Sequence, residues 1–228
     1  MKKIGIITAL TLEGEQIEKI LGSPAEIDLY GRFSIKTYRL NDKIIYCANC
    51  GVGEIAAASC TQILISVYNA EMVLNYGFAG GYGSFNQGDG IIASGVVHYD
   101  FDVSEVDGCK PYLYPELFDS PVIPVDRHLV RLAEKECADF KTGVLASGDK
   151  FVTDKAFKDE MNEKFGAVAF DMEGAGVLLT CKNSGTPALI IKVISDSGNA
   201  DEYYSFKDLV RRTKIKFAKL LQKLTLVL

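Results

Sequence analysis

Short, almost continuous apolar runs alternate with amphipathic stretches along this chain. The runs 3–9 (KIGIITA), 43–49 (KIIYCAN), 72–77 (MVLNYG), 90–97 (GIIASGVV), 142–146 (TGVLA), 167–170 (AVAF) and 188–195 (ALIIKVIS) have the length of strands. Their scarcity of polar alternation predicts strands covered on both faces. Apolar residues recur at helical spacing over 54–68, 126–138, 154–164, 173–183 and 205–224. The alternation predicts an α/β sandwich with a mostly parallel central sheet. In such sheets ligands gather beyond the carboxyl ends of the strands, so the residues there are the ones to inspect.

The last helical pattern contains the only cationic run, Arg211 to Lys223. Ser205 can cap it and Asp208 falls in its first turn, while Phe206, Leu209, Val210, Thr213, Phe217, Leu220, Leu221 and Leu224 share a stripe,. Its basic residues then form the wet face of a packing helix. The formal charge of -5 leaves no strongly basic face, so no nucleic-acid or membrane partner is expected,. A length of 228 residues suits one hydrophobic core, and no repeat or linker divides it, so a single domain over 1–228 is predicted,. The stretch from Asp100 to Pro124 is the least regular and holds Pro111, Pro115, Pro121 and Pro124. Such excursions serve as pocket walls or as plain surface.

The opening MKKIGIITAL reads as a first strand rather than an export signal, because acids follow at Glu13 and Glu15 and no cleavage pattern appears,. A cytoplasmic protein with reduced cysteines is expected. Cys47 and Cys50 make one C-x-x-C with no second pair, and His98 and His128 are the only histidines, so no metal site is predicted,.

Between strand and helix, GVGEIA (Gly51 to Ala56) matches the dinucleotide fingerprint in form,. However, Glu54 would enter the first helical turn, where a pyrophosphate needs positive potential. A tight turn with close helix packing is the better reading, and no cofactor is expected. NYGFAGG sets three glycines around Ala79 and, taken alone, reads as a turn that also permits close ligand approach,. ASGDKFV offers Phe151 and Val152 either as core or as the stacking face and backbone edge for a base. ISDSGN puts Asp196 at a strand end beside Ser195 and Ser197, as a cap or as a proton donor at a pocket floor,. AFDMEGAG runs an apolar strand into Asp171 and Glu173 and then into small residues.

Taken together, KIGIITALTLE, NYGFAGG, QGD, ASGDKFV, FDMEGAG and ISDSGNADEYYSF resemble, in order and spacing, the bacterial 5'-methylthioadenosine/S-adenosylhomocysteine nucleosidases of the purine nucleoside phosphorylase superfamily. The resemblance covers essentially the whole chain. It implies a three-layer α/β/α domain with a twisted, mixed central sheet, a homodimer, and hydrolysis of the N-glycosidic bond of a purine nucleoside to release adenine. On this resemblance Glu13 is the general base and Asp196 the acid at adenine N7. Glu173 holds the ribose hydroxyls, Met172 packs on the sugar, Phe151 stacks on adenine and the Val152 backbone reads its edge. Gly80 lines the same cavity beside Ala79 and Ser195, and Phe206 closes over the 5' substituent. Asp171 either supports this loop or is a helix-start acid.

The chain departs from the family at Phe78, where a small hydroxyl residue is usual, and at Lys192, where arginine is usual. Residues 98–106 depart around the 5' pocket. A phosphate-dependent phosphorylase is the alternative enzyme, but its related hexameric members carry an arginine where this chain has Asn75 and an N-terminal G-D-P-x-R that is absent here. A non-catalytic nucleoside-binding relative is the other alternative.

Overall fold

The computed structural model describes residues 1–40 and 42–197 together with Asp208, Leu221 and Lys223. In chain order the elements are β1 (Lys2–Thr8), α1 (Thr11–Leu21), β2 (Glu26–Tyr30), β3 (Phe33–Leu40), β4 (Lys43–Asn49), α2 (Glu54–Ser66), β5 (Met72–Gly81) and β6 (Gly90–His98). They continue with α3 (Ser104–Asp107), β7 (Val122–Pro124), α4 (Arg127–Glu136), β8 (Phe140–Ser147), α5 (Lys155–Phe165), β9 (Ala167–Asp171), α6 (Gly174–Asn183) and β10 (Ala188–Ser197). The helix expected over 205–224 lies outside the described residues except at Asp208, Leu221 and Lys223. Leu221 is buried in the core, and Lys223 Nζ donates to the Glu136 carbonyl.

All ten strands join one mixed sheet. Parallel pairs link β1 to β4 and β5, β10 to β5, and β8 to β6 and β9. Antiparallel pairs link β2 to β3, β3 to β4, β6 to β7 and β10, and β5 to β9. Because β5 pairs with both β9 and β10, the strands β5, β10, β6, β8 and β9 close into a ring, a feature the local pattern does not carry. Ile6, Ile7, Val73, Leu189, Ile190 and Ile191 are fully buried, which is why their runs are apolar at consecutive positions,.

The hydrophobic pattern misses α1, because its inward face carries Glu13 and Gln16 beside Ile17. It also misses β2, an exposed edge strand with Glu26 and Asp28, its neighbour β3, and the short β7 and α3. Two helix starts follow from capping acids: Asp126 accepts the N–H of Leu129 and Asp154 that of Ala156,. The YGFAGG stretch, expected as a turn, is the second half of β5. It remains strand because β10 pairs along it through Ser197 to Gly81.

The path of β5 creates the site. On one edge, pairing with β1 ends at Asn75 and pairing with β9 begins at Gly80. The backbone between them has no strand on that edge, and its polar groups need other partners.

Candidate active site

One such partner is Glu13. As the third residue of α1 it reaches back over the helix start, where Oε2 accepts the N–H groups of Ala9 at 2.9 Å and Leu10 at 2.8 Å. Oε1 accepts the N–H of Phe78 at 2.9 Å, filling the gap in the β5 edge. Gly77 makes the approach possible, since a Cβ there would lie 2.9 Å from Oε1 of Glu13. The side chain is 1% exposed. Burial pushes its carboxyl up, and the backbone donors and Lys192 oppose this without cancelling it,.

Asp196 stands on the other flank of β5. A bulge in the β10 to β5 pairing, between Ile194 and Asp196, lets the consecutive Ser195 and Asp196 line the same cavity,. Ser195 Oγ lies 2.8 Å from Oδ2 of Asp196, and the Ser195 carbonyl accepts from Gln87 Nε2 at 2.8 Å. A Cβ at Gly80 would come within 3.2 Å of Oδ1 of Asp196, so a second glycine makes room for the second acid.

The strand end at β9 supplies the third acid. Glu173 precedes α6, accepts the N–H of Gly53 at 3.2 Å and is 5% exposed. Burial pushes its carboxyl up, and Lys192 pulls it back. Lys192 Nζ lies 2.7 Å from Oδ2 of Asp171 and 3.9 Å from Oε2 of Glu173. Burial works against its charge, but Asp171, Glu173 and Glu13 outweigh burial and hold the ammonium pKa raised.

The loop after β8 forms the outer wall. The Tyr99 hydroxyl contacts the carbonyls of Gly148 and Lys150 at 3.1 and 2.8 Å, and Oδ1 of Asp149 accepts the N–H of Glu54 at 2.7 Å. This pins Phe151 and Val152 at the cavity mouth. Phe151 is 70% exposed, which removes the core reading of that residue.

The cavity enclosed by these groups measures about 160 Å³. Glu13, Ala79, Gly80, Phe151, Val152, Met172, Glu173, Ser195 and Asp196 all line it, and Phe206 lies outside the described residues. Ala9, Leu10, Val52, Phe78, Lys150, Phe170 and Asp171 complete the wall. Phe78, half-buried, contributes a backbone donor whatever its side chain, so the departure at this position leaves the Glu13 contact in place.

Sequence reasoning did not single out Glu54 as part of this assembly. It is 7% exposed and bonded to Ser147 and to the N–H of Gly176. The available signal was the glycine and alanine run after Glu173, which announces a close approach to the start of α6 by some other element. GVGEIA is the tight turn expected, with Gly51 and Gly53 at φ 82° and 107°,. Cys47 and Cys50 are buried free thiols at the end of β4.

A chain built this way has identifiable kin. The model of the phosphorylase superfamily matches residues 3–226. A 5'-methylthioadenosine/S-adenosylhomocysteine nucleosidase of Oceanobacillus iheyensis is 30% identical over 225 residues, covering 96% of each chain. One of a Geobacillus species is 31% identical over 217 residues, covering 90% of each. Among solved structures, a Helicobacter pylori nucleosidase of the same name is 30% identical, with a TM-score of 0.89 over 100% of this chain and 99% of that one. A futalosine hydrolase mutant of Helicobacter pylori is 27% identical, with a TM-score of 0.88 over 100% of both. The similarity in sequence and in fold runs from the first strand to the last, and the chain belongs to the phosphorylase superfamily.

Proposed function

We propose that this chain hydrolyses the N-glycosidic bond of adenine nucleosides such as 5'-methylthioadenosine and S-adenosylhomocysteine, releasing adenine. The observation that carries the reading is the convergence of Glu13 and Asp196 on one cavity, each admitted by a glycine of β5. Those glycines are three residues, roughly 10 Å, apart along the strand, a span that a ribose and a purine fill.

In this reading Glu13 takes a proton from water as its oxygen bonds to C1' of the ribose. The bond from C1' to N9 breaks, its electron pair leaves with the base, and Asp196 delivers a proton to N7. Glu13 then releases its proton to solvent and Asp196 takes one up, so the sum is nucleoside plus water giving free sugar and adenine. Glu173 binds the ribose hydroxyls and Met172 packs against the sugar. Phe151 stacks on the base, the Val152 backbone reads its edge, and Phe206 closes the 5' end. Charge development on the sugar and the base is what gives an acid and a base their leverage.

The chain acts in this reading as one domain over 1–228 and as a homodimer. Val52, Ile55 and Phe151 are 52%, 79% and 70% exposed, an apolar rim suited to cover by a second copy,. No helix among the described residues is long and apolar enough to cross a membrane, and six free cysteines suit the reducing cytoplasm,.

A product assay with 5'-methylthioadenosine, S-adenosylhomocysteine, adenosine and futalosine, each with and without phosphate, tests the reading. Free adenine and free sugar are expected without phosphate from the three adenine nucleosides, and futalosine, which carries a different base, tests the breadth of the base pocket. Ribose 1-phosphate formed only with phosphate would make the chain a phosphorylase, and tight binding without turnover would make it a binding protein. Futalosine enters the panel because a hydrolase of that name is as close in fold.

A further inference from the structure

Glu54 opens α2, is nearly buried and does not line the cavity, so no step above uses it. Ser147 Oγ lies 2.5 Å from Oε1 of Glu54 and 2.6 Å from Oδ1 of Asp171, and it accepts the N–H of Ala175 at 3.0 Å. A hydroxyl has one hydrogen and can give it to only one of the two carboxyl groups. The other contact sets lone pair against lone pair unless that carboxyl carries a hydrogen of its own.

Asp171 is the poorer carrier. Its Oδ2 faces the Lys192 ammonium at 2.7 Å and accepts the N–H of Gly174 at 3.0 Å, so that oxygen is already occupied by two donors and has no acceptor to which a hydrogen of its own could go,. The ionisable groups facing Glu54 are of the other kind. Asp171 comes from β9 and Glu173 from the start of α6, Tyr99 and Tyr114 stand further out, and Asp149 caps the same helical turn. Oε2 of Glu54 accepts the N–H of Gly176. A Cβ at Gly176 would lie 2.5 Å from the Glu54 carbonyl oxygen and 2.7 Å from Oε2, so this glycine exists to admit the acid.

We propose that Glu54 is a positioning residue that stands protonated and donates through Ser147 to Asp171, keeping Asp171 the anion that clamps Lys192 beside Glu173 and Glu13. Burial, and after it the charge of Asp171, push Glu54 up to about 8, which agrees with the geometry. The part concerning turnover rests on the nucleosidase reading; the protonation state does not.

The sign of the pH effect follows. A carboxyl raised from 4.5 to about 8 in the folded state contributes stability that is complete below 4.5 and is lost as pH rises through about 8,. Above that, one Ser147 hydrogen cannot serve two anions, and the clamp on Lys192 loosens. Glu54→Gln reproduces the protonated acid at every pH, because its NH2 donates to Ser147 Oγ and its oxygen accepts from Gly176.

The experiment compares the wild type, Glu54→Gln and Ser147→Ala by infrared spectroscopy near neutral pH, by melting temperature across pH and by the pH profile of kcat. The expected wild-type spectrum contains a protonated-carboxyl band that Glu54→Gln removes. Glu54→Gln should melt higher than the wild type in alkali, keep kcat within about threefold at neutral pH and show a smaller alkaline fall in kcat, the remainder being that of the proton donor Asp196. Ser147→Ala should keep the protonated-carboxyl band but shift its frequency, because Glu54 then loses the Ser147 oxygen as its acceptor. Absence of the band, an unchanged melting slope in Glu54→Gln, or failure of Glu54→Gln to fold would each overturn the proposal, since a neutral isostere must then be a poor substitute. The spectra and melting curves need no substrate, so an inactive wild type would count against the nucleosidase reading alone.

Discussion

Nζ of Lys192 lies 2.7 Å from Oδ2 of Asp171, and the two side chains are 2% and 0% exposed. Lys192 is enclosed by acids, with Glu173 at 3.9 Å and Glu13 near enough to act on its charge. A buried pair of this kind stabilises little compared with apolar residues of the same volume, yet losing one partner strands the other in a medium that cannot solvate it. Lys192→Met should therefore cost about 3–5 kcal/mol in urea unfolding, and it should raise the Glu13 and Glu173 carboxyl pKa values further.

Glu13→Gln should lower kcat for adenine release by about 100 to 10,000-fold, the usual worth of a positioned general base. The amide keeps one acceptor for Ala9 and Leu10 but turns a donor toward the N–H of Phe78. A stability cost of about 1–3 kcal/mol is expected alongside, measurable by chemical denaturation.

Gly77→Ala tests whether the glycine serves the acid. The added Cβ would meet Oε1 of Glu13 at 2.9 Å, so the carboxylate has to shift. Displacing a reacting group by around 1 Å costs on the order of 100-fold in rate. Gly80→Ala faces Asp196 at a looser 3.2 Å and should cost less. Circular dichroism should show the fold of both variants intact.

Acid should act on turnover and stability in opposite directions. Glu13 works as a base only when ionised, and burial raises its carboxyl above 4.5. The acid limb of kcat/KM should then lie at a higher pH than an ordinary glutamate gives. Glu13, Glu54 and Glu173 are all raised in the folded state, so each contributes stability that is full below 4.5 and fades as pH rises through its folded value,. Melting temperature should fall from mildly acidic to mildly alkaline buffer, with the Glu54 contribution gone above about 8.

Phe151→Ala should separate binding from folding. Phe151 is 70% exposed within its own chain, so its loss should leave the core of that chain and its circular dichroism spectrum intact. Loss of a stacking face for the base is worth about 1–3 kcal/mol, which predicts a KM raised roughly tenfold or more in steady-state assays.

Much of the architecture was legible because its signals are local. Consecutive apolar positions from Ile4 to Ile7 and from Leu189 to Ile191 require cover on both faces wherever the strand lies. Strand β3 was missed although FSIKTYRL alternates as a strand should, whereas other elements escaped notice because their local pattern misleads. Helix α1 buries Glu13 and Gln16, so its inner face reads as polar, and the YGFAGG half of β5 reads as a turn because glycine usually marks one.

For the site, the resemblance in motif order named Glu13, Glu173, Asp196, Phe151 and Gly80, and all of them line the cavity. Their long-range partners were not legible, because those are contacts between elements distant in the chain. Phe78 N–H reaches Glu13 from 65 positions away, and Ser147 reaches Glu54 from 93. From its own chemistry the chain determined which segments become strands and helices, and which carboxyl groups end up at strand ends. Only the closure of β5 against β1, β9 and β10 decided that Glu13, Glu173 and Asp196 share one cavity and which groups face each of them. Burial sets the charge of an acid, and burial is a property of the packed whole.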